Sequence, residues 1–414
     1  MADPELDSSP GIRRQLKIYR LGLVGKTPGQ GVSVEELKLE AQSALKPQAF
    51  DYLAGGAGGE ETMRANREAF HRWRIVPRFL CDVSERDLGV TVLGKRHPTP
   101  LMLAPIGVQS ILHEEAELAV ARAARTLEVP LILSTVSSKT MEEVSAEMGN
   151  VSRWFQLYWP KSDALTASFL QRAEKAGFSA LVVTLDTYLL SWRERDIKNA
   201  YLPFVHGEGL ANYFSDPVFQ EEVGGDPLLH PVRAIEYFGT VFSDPSRTWD
   251  DLARLRQSTK LPIILKGVLH PDDARKAVDH GVVGLIVSNH GGRQLDGAIA
   301  ALDALADVVD AVGDKTTVLF DSGIRRGADV FKAMALGAKC VLLGRPYCFG
   351  LAVNGEQGVR DVLLNLVADL DLTLALAGCS SFAKLSRENL APAPAPSASP
   401  GSEKTVAGSS EAAG

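Results

Sequence analysis

Within Ser288-Asn-His-Gly-Gly-Arg293 an imidazole and a guanidinium stand three positions apart with two glycines between them. A neutral imidazole can take a proton near neutral pH, and a guanidinium grips a carboxylate through two parallel N–H donors. The glycines let the backbone turn so that both groups face one pocket. A base beside an anion clamp is what removing hydrogen from the α-carbon of a hydroxy acid needs. Asp186, in Thr184-Leu-Asp186, is placed to stabilise the imidazolium as it forms. The plain alternative is that His290 is a satisfied structural histidine.

These residues follow directly on apolar runs, and the runs recur. Candidate strands are Leu101–Ala104, Leu131–Ser134, Arg153–Leu157, Ala180–Leu185, Pro262–Lys266, Val282–Val287, Thr317–Phe320 and Cys340–Leu343. Most are continuous Val/Ile/Leu stretches, as expected for parallel strands buried on both faces. Amphipathic stretches follow them, among them Glu115–Leu127, Ala164–Ala176, Pro271–Asp279 and Ala328–Leu336. This alternation predicts an α/β fold, a TIM (β/α)8 barrel, whose chemistry sits at the carboxyl ends of its strands.

The predicted strand ends read Ala104-Pro-Ile-Gly107, Ser134-Thr135, Gln156-Leu-Tyr158, Thr184-Leu-Asp186, Lys266-Gly267, the His290 segment, Asp321-Ser-Gly-Ile-Arg325 and Gly344-Arg345. A barrel with only structural caps would carry haphazard residue types there. Glycines beside Arg325 and Arg345 after the last two strands match the usual barrel phosphate site. Ser134, Gln156, Thr184 and Lys266 on neighbouring strands suit a flat, hydrogen-bonding ring beside that phosphate. That suggests flavin mononucleotide (FMN), although these residues alone do not separate it from a phosphorylated sugar.

Seven segments, Ala49-Phe-Asp-Tyr-Leu53, Phe155-Gln-Leu-Tyr158, Thr184-Leu-Asp186, Leu265-Lys-Gly267, Ser288-Asn-His-Gly-Gly-Arg-Gln294, Asp321-Ser-Gly-Ile-Arg325 and Gly344-Arg-Pro346, stand in one order. In them the chain resembles the FMN-dependent L-2-hydroxy-acid oxidases and dehydrogenases over roughly residues 15–390. The resemblance implies that His290 is the base, Asp186 its support, and Lys266 the cation near flavin N1. It implies that Tyr52, Arg193 and Arg293 bind the substrate carboxylate and that Tyr158 hydrogen-bonds the reacting oxygen. Pro105, Ile106, Gly107, Ser134, Gln156, Thr184, Ser288, Asp321, Ser322, Gly323, Arg325, Gly344 and Arg345 fall on cofactor positions.

Within the family the chain looks most like the lactate 2-monooxygenases, which it resembles in the pattern around Ile18-Tyr-Arg-Leu-Gly22 and in the insertion holding Asn212-Tyr-Phe-Ser-Asp-Pro-Val-Phe219; that is the expected activity, with the oxidase as the alternative. The monooxygenase branch turns lactate and O2 into acetate, carbon dioxide and water. Arg293-Gln-Leu-Asp-Gly297 looks instead like the oxidases, which release the 2-oxo acid and hydrogen peroxide. Val136 lies where larger side chains narrow the pocket in relatives, favouring a methyl-bearing or longer acid over glycolate. Family resemblance also implies a homotetramer or a dimer of tetramers.

The domain reading is an N-terminal arm over 1–32, a barrel domain over 33–390 with a helical cap (33–75) and a lid at about 187–247, and a disordered Pro/Ala/Ser tail over 391–414. The net charge of −7 is spread along the chain, which argues against nucleic acid or anionic lipid as partners. No apolar run reaches the roughly 18 residues of a membrane span. Four cysteines without C-x-x-C spacing fit a reducing compartment, and the absence of a leader-like start and of a peroxisomal ending makes the cytoplasm the expected location. Gly25-Lys-Thr27 is no nucleotide loop, because Arg20 stands where its first glycine belongs; Gly55–Gly59 fails the dinucleotide pattern and reads as a flexible turn. Histidine spacing gives no metal site. The rivals are a non-catalytic flavin-binding scaffold and an FMN isomerase acting on a diphosphate.

Overall fold

The structure is a computed structural model describing residues 9–394. Eight parallel strands close into a barrel: β1 (Leu101–Leu103), β2 (Leu131–Ser134), β3 (Arg153–Leu157), β4 (Leu181–Thr184), β5 (Ile263–Lys266), β6 (Gly284–Val287), β7 (Thr317–Phe320) and β8 (Val341–Leu343). They are the eight anticipated runs, to within two residues at each end. Pairing follows chain order and closes where Leu343 of β8 meets Leu103 of β1. Strands such as Leu-Val-Val-Thr of β4 and Gly-Leu-Ile-Val of β6 are buried along their whole length, because the barrel interior covers one face and helices the other. Those helices include Ala116–Thr126, Asp163–Lys175, Pro271–Asp279 and Gly327–Ala335, as the apolar spacing predicted.

Between the N-terminal arm and the barrel stand three helices, Val34–Ala44, Pro47–Ala54 and Glu61–His71. The turn between the last two is not the flexible one expected from its glycines. Gly55, Gly56 and Ala57 are buried, so their polar groups need partners. Ala57 N donates to Gly292 O at 2.9 Å and Gly58 N to Trp192 O at 2.8 Å.

Both ends of the described segment are tied down. In the arm, helix Pro10–Gly22 lies on the long helix Arg345–Leu376, where Gly11 N donates to the fully buried Asp371 Oδ2 at 3.0 Å. The tail begins later than Ala391: Leu390–Pro392 pairs antiparallel with Trp73–Ile75, and Ala393 N donates to Arg72 O at 2.7 Å. A proline is tolerated on such an edge, which is why composition alone set the boundary too early. The remainder of the expected tail, 395–414, lies outside the described residues, as do residues 1–8.

Between β4 and helix Trp249–Gln257 the insertion folds into short helices, Glu194–Lys198, Pro203–His206, Ala211–Phe214, Pro217–Val223 and Pro231–Val241. Phe204, Tyr213, Phe219, Phe238 and Phe242 pack into one aromatic cluster. Asn212, fully buried, accepts from Met141 N at 2.8 Å and donates to Thr135 O at 3.1 Å and Ser137 Oγ at 2.9 Å. Buried Asp216 accepts from Ser168 Oγ at 2.8 Å and pairs with Arg172 at 3.0 Å. The middle of the insertion is thus bolted to the barrel. Among the described residues no helix is long and apolar enough to cross a membrane.

Candidate active site

At the carboxyl ends of the strands lies a cleft of about 1120 Å³, part of it open to solvent. Most of the sequence-predicted site residues line it. Pro105, Ile106 and Gly107 come from the segment after β1, Tyr158 from the end of β3, Lys266 from β5, and His290 and Arg293 from the turn after β6. Asp321, Ser322, Gly323 and Arg325 follow β7, and Gly344 and Arg345 follow β8. Tyr52 enters from the cap and Arg193 from the insertion.

The other five predicted residues stand behind this wall, bonded to it or to one another. Ser134 Oγ donates to Gln156 Oε1 at 3.0 Å, and Gln156 Nε2 donates to Thr184 Oγ1 at 2.9 Å. Strand register puts Ser134 opposite Gln156 and Thr184 opposite Lys266, so the four form one buried polar row across β2 to β5. Ser288 Oγ accepts from Lys266 Nζ at 2.9 Å and from His290 N at 3.0 Å. Lys266 also faces Asp321 Oδ2 at 3.2 Å. Burial works against its charge, but Asp321 and Asp186 outweigh it and hold the ammonium above its usual pKa.

The turn after β6 is the least ordinary backbone in the site. His290, Gly291 and Gly292 have φ of 59°, 64° and 76°, the left-handed region. At Gly292 a β-carbon would lie 2.6 Å from Met63 N, so glycine is needed for space as well as for φ. This turn holds His290 Nδ1 at 2.8 Å from Asp186 Oδ1, with Nε2 on the other side, 3.4 Å from Tyr158 OH. Nδ1–H therefore donates to the carboxylate and Nε2 keeps its lone pair toward the cleft. Burial holds the imidazole below its usual 6.5, aided by Lys266 and Arg193 and opposed by Asp186. For Asp186 burial is outweighed by His290 and Lys266, and the carboxyl stays below its usual 3.8.

Four guanidiniums line the cleft, and among the described residues only Arg193 of the four has an ion-pair partner, Asp196 at 3.9 Å. Arg293 lies 5.0 Å over the Tyr52 ring and donates to Tyr52 O at 2.6 Å and Gly55 O at 3.0 Å. Arg345 donates to Leu53 O at 3.2 Å, Gly55 O at 2.8 Å and Gly291 O at 3.0 Å. Both hold the carboxyl end of helix Pro47–Ala54, where the helix dipole is negative. Burial pushes Arg293 and Arg325 down to about 10, with Arg193 acting on the first and Arg67 on the second, and Arg345 falls well below its usual value. Such a site gains by taking up an anion. At Gly344, where helix Arg345–Leu376 starts, an added β-carbon would touch only Ile106 and Ala104, at 3.7 and 3.9 Å, so there is open space beside the first residue of the helix.

Residues missed by the sequence reading are Thr187, whose hydroxyl donates to Asp186 Oδ1 at 3.0 Å, and Gln294, which donates to Asp186 O and Leu189 O at 2.8 and 3.1 Å and accepts from Arg193 at 2.9 Å. Gln294 stood within a quoted motif and Thr187 next to one, so adjacency to a base and its carboxylate was the available signal. The apolar wall from Ile111, Leu112, Leu190, Phe204 and Phe242 had none, because those residues look like any core. Among the described residues no group of three or more His, Cys, Asp or Glu side chains is placed to hold a metal.

The family model described as FMN-dependent dehydrogenase matches residues 41–392. The chain belongs to the FMN-dependent dehydrogenase family. It is 44% identical over 378 residues to an FMN-dependent alpha-hydroxy acid dehydrogenase of Penicillium citrinum, covering 90% of this chain and 94% of the relative. It is 46% identical over 333 residues to an L-lactate oxidase of Lysinibacillus sphaericus (strain C3-41), covering 80% and 86%. A crystal structure of mandelate oxidase with (S)-4-hydroxymandelic acid superposes with a TM-score of 0.78 at 39% identity, over 87% of this chain and 98% of the other. This member of the FMN-dependent dehydrogenase family is an enzyme that oxidises 2-hydroxy acids, and FMN is its cofactor. Its residues fit that group: a helix N-terminus with room at Gly344 beside half-buried guanidiniums suits the phosphate, and the buried polar row ending in Lys266 suits the ring.

Proposed function

We propose that the protein is an oxidase of L-2-hydroxy acids with a small apolar side chain, L-lactate or larger, that converts substrate and O2 to the 2-oxo acid and hydrogen peroxide. The carrying observation is the half-buried Asp186–His290 pair, 2.8 Å apart, whose Nε2 shares a cleft with Tyr158, Arg193 and Arg293. Arg293 and Arg193, with Tyr52, bind the substrate carboxylate; a planar guanidinium does this through two donors. Tyr158 hydrogen-bonds the 2-hydroxyl oxygen, and its burial keeps the phenol protonated. His290 Nε2 takes the substrate proton, and Asp186 stabilises the imidazolium that results.

Bound FMN supplies the acceptor for the two electrons. Ser134, Gln156, Thr184, Ser288 and Lys266, with Pro105, Ile106 and Gly107, would hold its ring, and the ammonium of Lys266 would stabilise negative charge arising there. Asp321, Ser322, Gly323, Arg325, Gly344 and Arg345 would hold the ribityl phosphate. Val136, Phe204 and Phe242 give the cleft an apolar end, which supports a side chain larger than hydrogen.

Release of products is the reading favoured by Leu190, which lines the cleft yet is 52% exposed, so that the mouth opens to solvent there. The second reading, a lactate 2-monooxygenase that retains both products until acetate, carbon dioxide and water form, draws on the long insertion over that mouth. One experiment separates them. The purified yellow protein is mixed anaerobically with L-lactate, then exposed to air and assayed for pyruvate, peroxide and acetate. Bleaching followed by pyruvate and peroxide supports the oxidase, and bleaching followed by acetate the monooxygenase. A yellow protein that no 2-hydroxy acid bleaches would favour a flavin-binding scaffold.

A further inference from the structure

Thr187 begins the insertion, is 5% exposed and touches both members of the catalytic pair. Its hydroxyl donates to Asp186 Oδ1 at 3.0 Å, and the same oxygen lies 3.2 Å from His290 Nδ1, closing a triangle with the 2.8 Å Asp186–His290 bond. A hydroxyl has one hydrogen and two lone pairs. With the hydrogen given to Asp186, a lone pair faces Nδ1, which can only be matched by a proton on Nδ1. Asp186 Oδ2 finds no partner among the described residues, so Oδ1 alone carries the link to the ring and rotation of the carboxylate is restrained chiefly through it.

We propose that Thr187 is a positioning residue that fixes the orientation of the Asp186 carboxylate and, through it, of the His290 ring, so that Nε2 faces the substrate. This rests on His290 being the base. The ionised Asp186 carboxylate sets the Nδ1–H tautomer, and the Thr187 hydroxyl, bonded to the same Oδ1 and 3.2 Å from Nδ1, limits rotation of carboxylate and ring about that link. The charged and titratable groups that face His290 are Asp186 from the end of β4, Lys266 from β5, Arg193 from the insertion and Tyr158 from the end of β3. Because Thr187 is the first residue of the insertion, the base is also tied directly to the segment that frames the cleft mouth.

The test compares Thr187→Val, which keeps shape and loses the hydroxyl, with Thr187→Ser, which keeps the hydroxyl. In FMN-loaded protein the valine variant is expected to be reduced by L-lactate roughly tenfold more slowly, with KM little changed, the size expected for losing one hydrogen bond to a charged partner. The serine variant is expected to recover most of the rate. Independently of turnover, 15N spectra of histidine-labelled protein, with His290 assigned by its loss in His290→Gln, should show the His290 imidazole titrating at a different pH in the valine variant than in wild type and serine variant, because the hydroxyl no longer bonds Asp186 Oδ1. A wild-type-like valine variant in rate and spectrum, or valine and serine variants equally impaired, would overturn the proposal. If no hydroxy acid reduces the wild type, the functional reading fails and the spectra still decide the role of Thr187.

Discussion

At the scale of single residues, the chemistry of this site is a matter of which charges are buried together. His290 is held below its usual pKa by burial, so its neutral, proton-accepting form dominates at neutral pH. Activity should fall as pH drops through that pKa, and the midpoint of the acid limb of kcat/KM is expected below 6.5, the ordinary histidine value. Asp186 raises that pKa, so Asp186→Asn should shift the limb further to acid and lower the plateau by roughly 10²–10⁴. His290→Ala should stay yellow yet resist bleaching by substrate; bleaching at the wild-type rate would remove His290 from the mechanism. Away from the chemistry, Glu117 is fully buried on helix Ala116–Thr126, accepts from Ser138 N at 3.0 Å, and is pushed by burial up to about 7. A carboxyl whose folded pKa is raised adds stability at low pH that is lost as pH rises from its unfolded value of 4.5 through about 7. Glu117→Gln should therefore be more stable than wild type at pH 8, by up to about 3 kcal/mol, and similar at pH 4, as read by urea denaturation.

Secondary-structure elements explain what sequence could and could not reveal. Strands such as Leu181–Thr184 and Gly284–Val287 were legible because a parallel barrel buries both faces and so demands unbroken apolar runs. Arg345 was legible as an anion ligand from its place after the last strand. That it also clasps Leu53 O and Gly55 O was not, since a contact across nearly three hundred residues leaves no local signal. The buried turn at Gly55–Ala57 was misread for the same reason: glycines speak of backbone freedom, and only the fold shows that Gly292 and Trp192 use it up. The insertion makes the point testable. Its middle is pinned by Asn212, so Asn212→Ala, which strands Met141 N and Thr135 O, should cost roughly 1–3 kcal/mol in denaturation. Amide exchange should accelerate around residues 207–225, and an unchanged exchange pattern there would show that the aromatic cluster alone anchors the segment.

For the molecule as a whole, the barrel and most of the candidate cleft follow from the order of apolar runs and the residues that end them. Its outer surface is less readable. Leu228, Leu229 and Val232, close together at the end of the insertion, are 74%, 74% and 69% exposed, an apolar patch of the kind that marks a contact surface. We propose that copies of the chain assemble, as a homotetramer or a dimer of tetramers, and that this patch takes part. Light scattering should give a mass four or eight times that of one chain, and Leu228→Asp with Leu229→Asp should reduce it. A monomeric wild type would end that proposal.

The closure of β8 on β1 has a consequence for biosynthesis. Leu101 and Val341, which face each other across that seam, are 240 positions apart. At roughly 5–20 residues per second, a ribosome needs on the order of 12–48 s between making the first and delivering the second. Throughout that interval the apolar edge of β1 on the nascent chain lacks the neighbour that completes it, and Arg345, two residues beyond β8, has not yet emerged to clasp the cap. The same seam finishes the active site last: the barrel cannot close, nor the cap be clasped, until β8 and Arg345 have been made.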